Sequence, residues 1–196
     1  MNSVRKILLI LFAIFAFAMP ALSQENNNTT VLQGSVLYNE ESARKLAFEG
    51  LDLKLDKKML KDYLEDENNK ENRQALKEGR QIPGRSIMSF NIRGIVKGYV
   101  VIYDDKPEYA FYYTTSGYLA AVDVNKAFGQ DFPYRVGKYN PVTGNLISIG
   151  VYISEDEQYA YTKNGKLKAH WVGDTGYNAK GKPIAKREFT DEIPAD

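Results

Sequence analysis

The chain has 196 residues, with 26 lysines and arginines against 25 aspartates and glutamates, one histidine and no cysteine. That balance gives no net field for nucleic acid or an anionic surface, and the missing thiols exclude disulfides, cysteine nucleophiles and cysteine-ligated metals. With His170 the sole histidine, neither the common zinc and copper sites nor any other cofactor is expected.

Residues 1–23 read as a signal peptide. Arg5 and Lys6 supply its basic start, and an apolar run extends from Ile7 to Met19. Ala21 and Ser23 are the small residues before a cut at Gln24. The run is shorter than the ~20 apolar residues of a spanning helix and is closed by Pro20. The mature protein is therefore expected to be exported, to the periplasm or the medium, with no membrane span after leader cleavage. It keeps 24 of the basic side chains against 25 acidic ones.

Residues 24–35 are polar and aperiodic, a disordered lead-in. Residues 36–82 form a helical segment. Asn39 is placed to cap a helix with Glu40 and Glu41 in its first turn, and Gly50 follows as its left-handed end. Leu51–Leu55 alternates like a short strand. Asp56 is placed to cap a second helix, with Leu55 and Leu60 as its hydrophobic staple and Met59, Leu60, Tyr63 and Leu64 as its apolar stripe. A third helix, from Lys70 to Glu78, offers only Ala75 and Leu76 to a core. Pro83-Gly84 then marks a turn.

Residues 85–189 read as an antiparallel β-hairpin repeat domain, with residues 190–196 as a tail. An aromatic is followed four residues later by a glycine and two beyond that by an aliphatic: Phe90, Gly94, Val96; Tyr113, Gly117, Leu119; Tyr161, Gly165, Leu167. Tyr139, Gly144, Leu146 carries one extra residue, and Tyr177, Gly181 is a degenerate fifth copy. The spacing is that of a hairpin, with the glycine taking the positive φ of the turn and the aromatic packing across the ladder. The glycines recur at intervals of 23, 27, 21 and 16 residues, which suits a meander of hairpins better than a strict solenoid.

The unit Tyr161-Thr162-Lys163-Asn164-Gly165-Lys166-Leu167 resembles the YD-type hairpin repeats of bacterial surface and toxin-associated proteins. The second position departs from that family, holding Thr114, Asn140, Thr162 and Asn178 where aspartate is usual. Tyr112 to Leu119 is similar to the aromatic hairpins of cell-wall-binding repeats, which are richer in tryptophan. Both resemblances imply non-catalytic β structure that binds or displays something.

No catalytic constellation emerges. His170 falls on the strand face of Lys166 and Lys168, which reads as solvent-facing. A glycosidase needs only two carboxylates; Asp104, Asp105 and Glu108, Glu155, Asp156 and Glu157, and Asp123 are candidates, the first two groups reading as loop charges. Among 14 tyrosines, Tyr112 and Tyr118 are the best candidates for a binding platform. Alternation puts Tyr112 on the face opposite Phe111 and Tyr113, and Tyr118 follows a turn.

The expected fold is α+β, a small helical N-terminal part plus an antiparallel β-meander of hairpin repeats. The expected function is non-catalytic binding or scaffolding at the bacterial envelope or outside the cell. An envelope glycan or another exported protein is the expected partner. The alternatives are a carbohydrate-active enzyme using a carboxylate pair and an accessory or inhibitor subunit that pairs through an edge strand.

Overall fold

The computed structural model describes residues 40–64 and 66–194. The leader, the lead-in, the Asn39 cap and the end of the tail lie outside the described residues. Among the described residues three helices come first, α1 (Glu40–Phe48), α2 (Lys61–Leu64) and α3 (Asp66–Glu78). Ten strands follow: β1 (Arg85–Ile92), β2 (Ile95–Tyr103), β3 (Tyr109–Tyr113), β4 (Leu119–Val124), β5 (Tyr134–Tyr139), β6 (Leu146–Tyr152), β7 (Glu157–Thr162), β8 (Leu167–Val172), β9 (Thr175–Tyr177) and β10 (Pro183–Thr190).

Each strand pairs antiparallel with the next, and β1 also pairs with β10, so the meander closes into a ten-stranded barrel. Closure sets Phe90 opposite Phe189 and Ile92 opposite Arg187. The five repeat glycines, Gly94, Gly117, Gly144, Gly165 and Gly181, all have φ between 70° and 80°, the left-handed backbone their turns require. Each turn joins an odd-numbered strand to the following even one, so all five lie at one end of the barrel.

A feature invisible in the spacing accompanies them. The register slips between Phe90 and Asn91, Tyr112 and Tyr113, Lys138 and Tyr139, and Ala160 and Tyr161, in each case shortly before the glycine turn. β-Bulges bend a strand and increase its twist, and curvature repeated around a sheet is what lets it close.

The fold is mainly antiparallel β with a few short helices, so the α+β expectation holds only loosely. The helices have no core of their own and bury small faces on the outside of the barrel. Ala43 and Ala47 seat α1 against β5, β6 and β7, while Ala75 and Leu76 seat α3. Arg135 on β5 donates to the carbonyls of Leu46 (3.2 Å), Glu49 and Gly50 (3.0 Å), satisfying the open C-terminal end of α1.

The segment Leu51–Leu55 is not a strand; it makes one isolated bridge, Lys54 to Asn145, along the Gly144 turn. The second helix shrinks to Lys61–Leu64, none of whose residues is buried; Leu60 just before it is buried and Met59 is exposed. The third begins at Asp66, and β10 continues to Thr190. No described helix is long and apolar enough to cross a membrane.

Two apolar clusters divide the sheet by face. One joins Ile87, Tyr99, Val101, Tyr103, Phe111 and Tyr113 to the helices and is therefore the outer face. The other contains Met88, Phe90, Val100, Tyr112, Tyr152 and Trp171 and no helical residue. In a closed barrel that second face is the lumen.

Candidate functional site in the barrel interior

Strand register orders the lumen into rows. Tyr134 pairs with Tyr152, Tyr152 with Gln158, Gln158 with Trp171, and Trp171 with Gly176, making one row across β5 to β9. The next row is Val136, Gly150, Ala160 and Ala169, in which β6, β7 and β8 contribute nothing larger than a methyl group. The third is Ala110, Asp123, Lys138 and Ser148.

The third row holds a buried ion pair. Lys138 Nζ lies 2.8 Å from Asp123 Oδ1 and 3.3 Å from the centre of the Tyr112 ring, a cation–π contact. The Tyr112 hydroxyl also hydrogen-bonds Asp123. Burial nevertheless outweighs the mutual attraction. It pushes the Asp123 carboxyl up to about 6 and the Lys138 ammonium down to about 8, because leaving water penalises both charged forms.

The first row is aromatic and rich in donors. Phe132, Tyr134 and Tyr152 stack in series with centroids 5.1 Å apart. The indole of Trp171 lies flat over Gly176, where a Cβ would come within 3.0 Å of the ring. Arg187 from β10 reaches into this row, its guanidinium 4.4 Å from the Trp171 ring centre and donating at 2.9 Å to Gln158 Oε1. Burial holds the Tyr152 phenol well above its usual range, so the hydroxyl stays protonated.

Apart from the ion-paired Asp123 and Lys138, four side-chain groups among the described lumen residues are buried with no hydrogen-bond partner: Tyr152 Oη, Trp171 Nε1, Gln158 Nε2 and Ser148 Oγ. Each can donate a hydrogen bond, and the indole and amide nitrogens can do nothing else. A buried polar group left unpaired costs about 1–3 kcal/mol, and native interiors leave few of them.

The two tyrosines expected to form a platform are not brought together. Tyr112 does face away from Phe111 and Tyr113, but that face is the lumen, and the residue is 1 % exposed. Both faces of β3 are covered, the outer by helices and the inner by closure, so alternation alone gives no exposed tyrosine there. Tyr118 is 62 % exposed beside the Gly117 turn, with the Arg73 guanidinium 5.6 Å from its ring centre.

His170 is on the outer face as alternation requires, but it is not simply solvent-facing. It stacks on Tyr159 at 4.1 Å, and its Nε2 lies 2.9 Å from Glu157 Oε1. Of the candidate carboxylates, Asp104, Asp105, Glu155 and Asp156 are exposed in connections at the end opposite the glycine turns. Asp123 is the one that faces the lumen, two residues along β4 from Ala121. Because β1 pairs with β10, the barrel presents no open lateral edge of the kind a strand-pairing accessory subunit uses.

The lumen residues Asp123, Lys138, Gln158 and Arg187 were not legible as a group. Each stands alone in the sequence, and only register and closure bring them together. A cleft of about 530 Å³ also lies between α1 and the Gly165 turn, but its polar lining is the exposed side chains of Glu41, Arg44, Lys45 and Lys163. No family model matches the chain, no curated protein matches its sequence and no solved structure matches its fold.

Proposed function

We propose that this is an exported, non-catalytic binding protein whose ligand is a small molecule held in the lumen of the barrel. The observation that carries this reading is the set of buried donors in the lumen that the protein itself does not satisfy. Eight strands already enclose enough space for side chains to fill or for one small ligand, and this barrel has ten. The row of Gly150, Ala160 and Ala169 adds little side-chain volume to that wider interior. A mostly apolar concavity with a few placed polar groups is the ordinary composition of a ligand site. The leader supports the address, and the repeat resemblance supports a binding role over a catalytic one.

Native mass spectrometry of the mature protein, isolated from the envelope and culture medium of the cells that make it, tests the reading. The expected N-terminus is Gln24, and the expected spectrum contains a small-molecule adduct that is lost on denaturation. A neutral fluorophore such as 1-aminoanthracene is expected to enter the emptied lumen and to be displaced by the released molecule. A polypeptide mass alone, together with no uptake of the fluorophore, would sink the reading. Retention of the protein on an envelope glycan or an exported protein through the exposed Tyr118 surface would replace it.

A further inference from the structure

Resting on that lumen-binding reading, we infer that the ligand is a small amphipathic anion, with a carboxylate or phosphate head and an apolar body. The head belongs at the row of Tyr152, Gln158 and Trp171. These three are consecutive cross-strand neighbours, so their side chains stand side by side on one wall. Arg187 fixes the sense of the amide. A guanidinium can only donate, so the oxygen of Gln158 must face it at 2.9 Å, and the amide NH2 points elsewhere, unpartnered. The indole N–H of Trp171 and the hydroxyl of Tyr152 are likewise unpartnered. Three buried donors beside a guanidinium call for a ligand that brings acceptors and negative charge, since charge-assisted bonds to such an oxygen are the strong ones. A cationic head would meet the same donors and the positive field of Arg187.

The other polar row does not compete for the head. There Asp123 and Lys138 neutralise one another at 2.8 Å, and Tyr112 engages both. Ser148 in that row and Tyr152 in the head row are four residues apart on β6, or ~13 Å at about 3.3 Å per residue. Between them lies the small-residue row. Facing it from the other side of the lumen are Met88, Phe90, Val100 and Ile102, all apolar. A donor-rich end and an apolar middle match a molecule with one charged end and a hydrocarbon body.

The chain contains one tryptophan, Trp171, so its fluorescence reads the proposed head site directly. The mature protein, stripped of any co-purified small molecule, is titrated below micelle formation with dodecanoate, dodecyl phosphate, dodecanol and dodecyltrimethylammonium. Saturable one-to-one changes in Trp171 emission are expected with both anions, or with the one whose source chemistry the site prefers. The alcohol is expected to bind at least 10-fold more weakly and the cation not at all. Arg187→Met is expected to reduce the anion-over-alcohol preference to less than 3-fold, and Tyr152→Phe to weaken the anion 3- to 10-fold. Arg187→Lys, which keeps the charge but loses the planar fork, serves if Arg187→Met does not fold, and should retain part of the preference.

Equal binding of alcohol and anion, or a preference untouched by both Arg187 and Tyr152 substitutions, overturns the anionic class and leaves the lumen reading standing. No binding by any of the four probes, with no uptake of the neutral fluorophore, overturns both.

Discussion

Apart from the Tyr112–Asp123–Lys138 cluster, the outer and inner faces of the barrel treat most of their buried polar side chains differently. Outside, beneath the helices, the tyrosines are tied in. Tyr139 donates to the Asp52 carbonyl (2.9 Å), and Tyr161 donates to the Glu40 carbonyl (3.0 Å). Asn72 of α3 donates to the hydroxyls of Tyr103 (3.0 Å) and Tyr113 (2.6 Å) and accepts from Arg85 (2.7 Å). Ser89 Oγ, Asn91 Oδ1 and Arg85 Nε are the outer-face exceptions. Inside, Tyr152, Trp171, Gln158 and Ser148 keep buried atoms unspent. The outer polar groups hold the helices to the sheet; the inner ones have no partner among the described residues.

That contrast breaks most visibly at Lys138. Lys138→Met leaves Asp123 buried without its counter-charge, and removing one partner of such a pair costs about 3–5 kcal/mol. Urea unfolding should show that loss. The double variant Asp123→Asn, Lys138→Met should recover most of it, because neither charge then remains buried. Additive losses in the double variant would mean that the pair is not the coupled unit the 2.8 Å contact indicates.

Asn72→Ala is the matching test outside. It removes the amide shared by Tyr103, Tyr113 and Arg85 and leaves Tyr113 its bond to Asn69 (2.9 Å) and Arg85 its bond to Glu71 (2.8 Å), so a loss of about 1–3 kcal/mol is expected, with lumen binding unchanged. Tyr152→Phe removes an unspent hydroxyl and should leave stability unchanged or raise it by about 1 kcal/mol while weakening ligand. If the two substitutions destabilise equally, the inner hydroxyl is structural and the contrast between the faces fails.

A smaller effect separates the faces by pH. The folded carboxyl of Asp123 titrates above its ordinary value, at about 6, so the folded state holds that proton more tightly than the unfolded chain. The stability this contributes is full below the ordinary carboxylate value of 3.8 and is lost as pH rises through about 6. Wild type should therefore lose, between pH 4 and pH 7, on the order of 2 kcal/mol relative to Asp123→Asn. Parallel stability profiles for the two proteins would show that Asp123 is not titrating in the folded state over that range.

Much of the barrel was readable one hairpin at a time. Asn164-Gly165 and its four counterparts state where the chain turns, because a positive φ is a local demand that glycine meets without a neighbour's help. The faces of β3 were readable too, Tyr112 opposite Phe111 and Tyr113, but alternation also groups Leu167 with Ala169 and Trp171, and the bulge in β8 sends Leu167 to the outer face and the other two to the lumen. The polar bolts of α3 were not. Asn72 looks like any residue of a solvated helix until Tyr103, Tyr113 and Arg85, all on other elements, converge on it.

By itself the sequence determines the hairpins, their glycine turns and the two-residue alternation of the unbulged stretches, since all of these act within a few residues, while the bulges that switch faces in β2, β4, β6 and β8 carry no local signal. Tertiary structure decided that the last strand returns to the first, setting Phe90 against Phe189 across the closure. It also decided which face became the lumen. Period-two alternation is symmetric between the faces; only closure, with the helices bound to one side, makes them unequal. The same closure buries Tyr112 beside Lys138 and Asp123, and register sets Tyr152, Gln158 and Trp171 side by side on the buried face, which no spacing along the chain encodes.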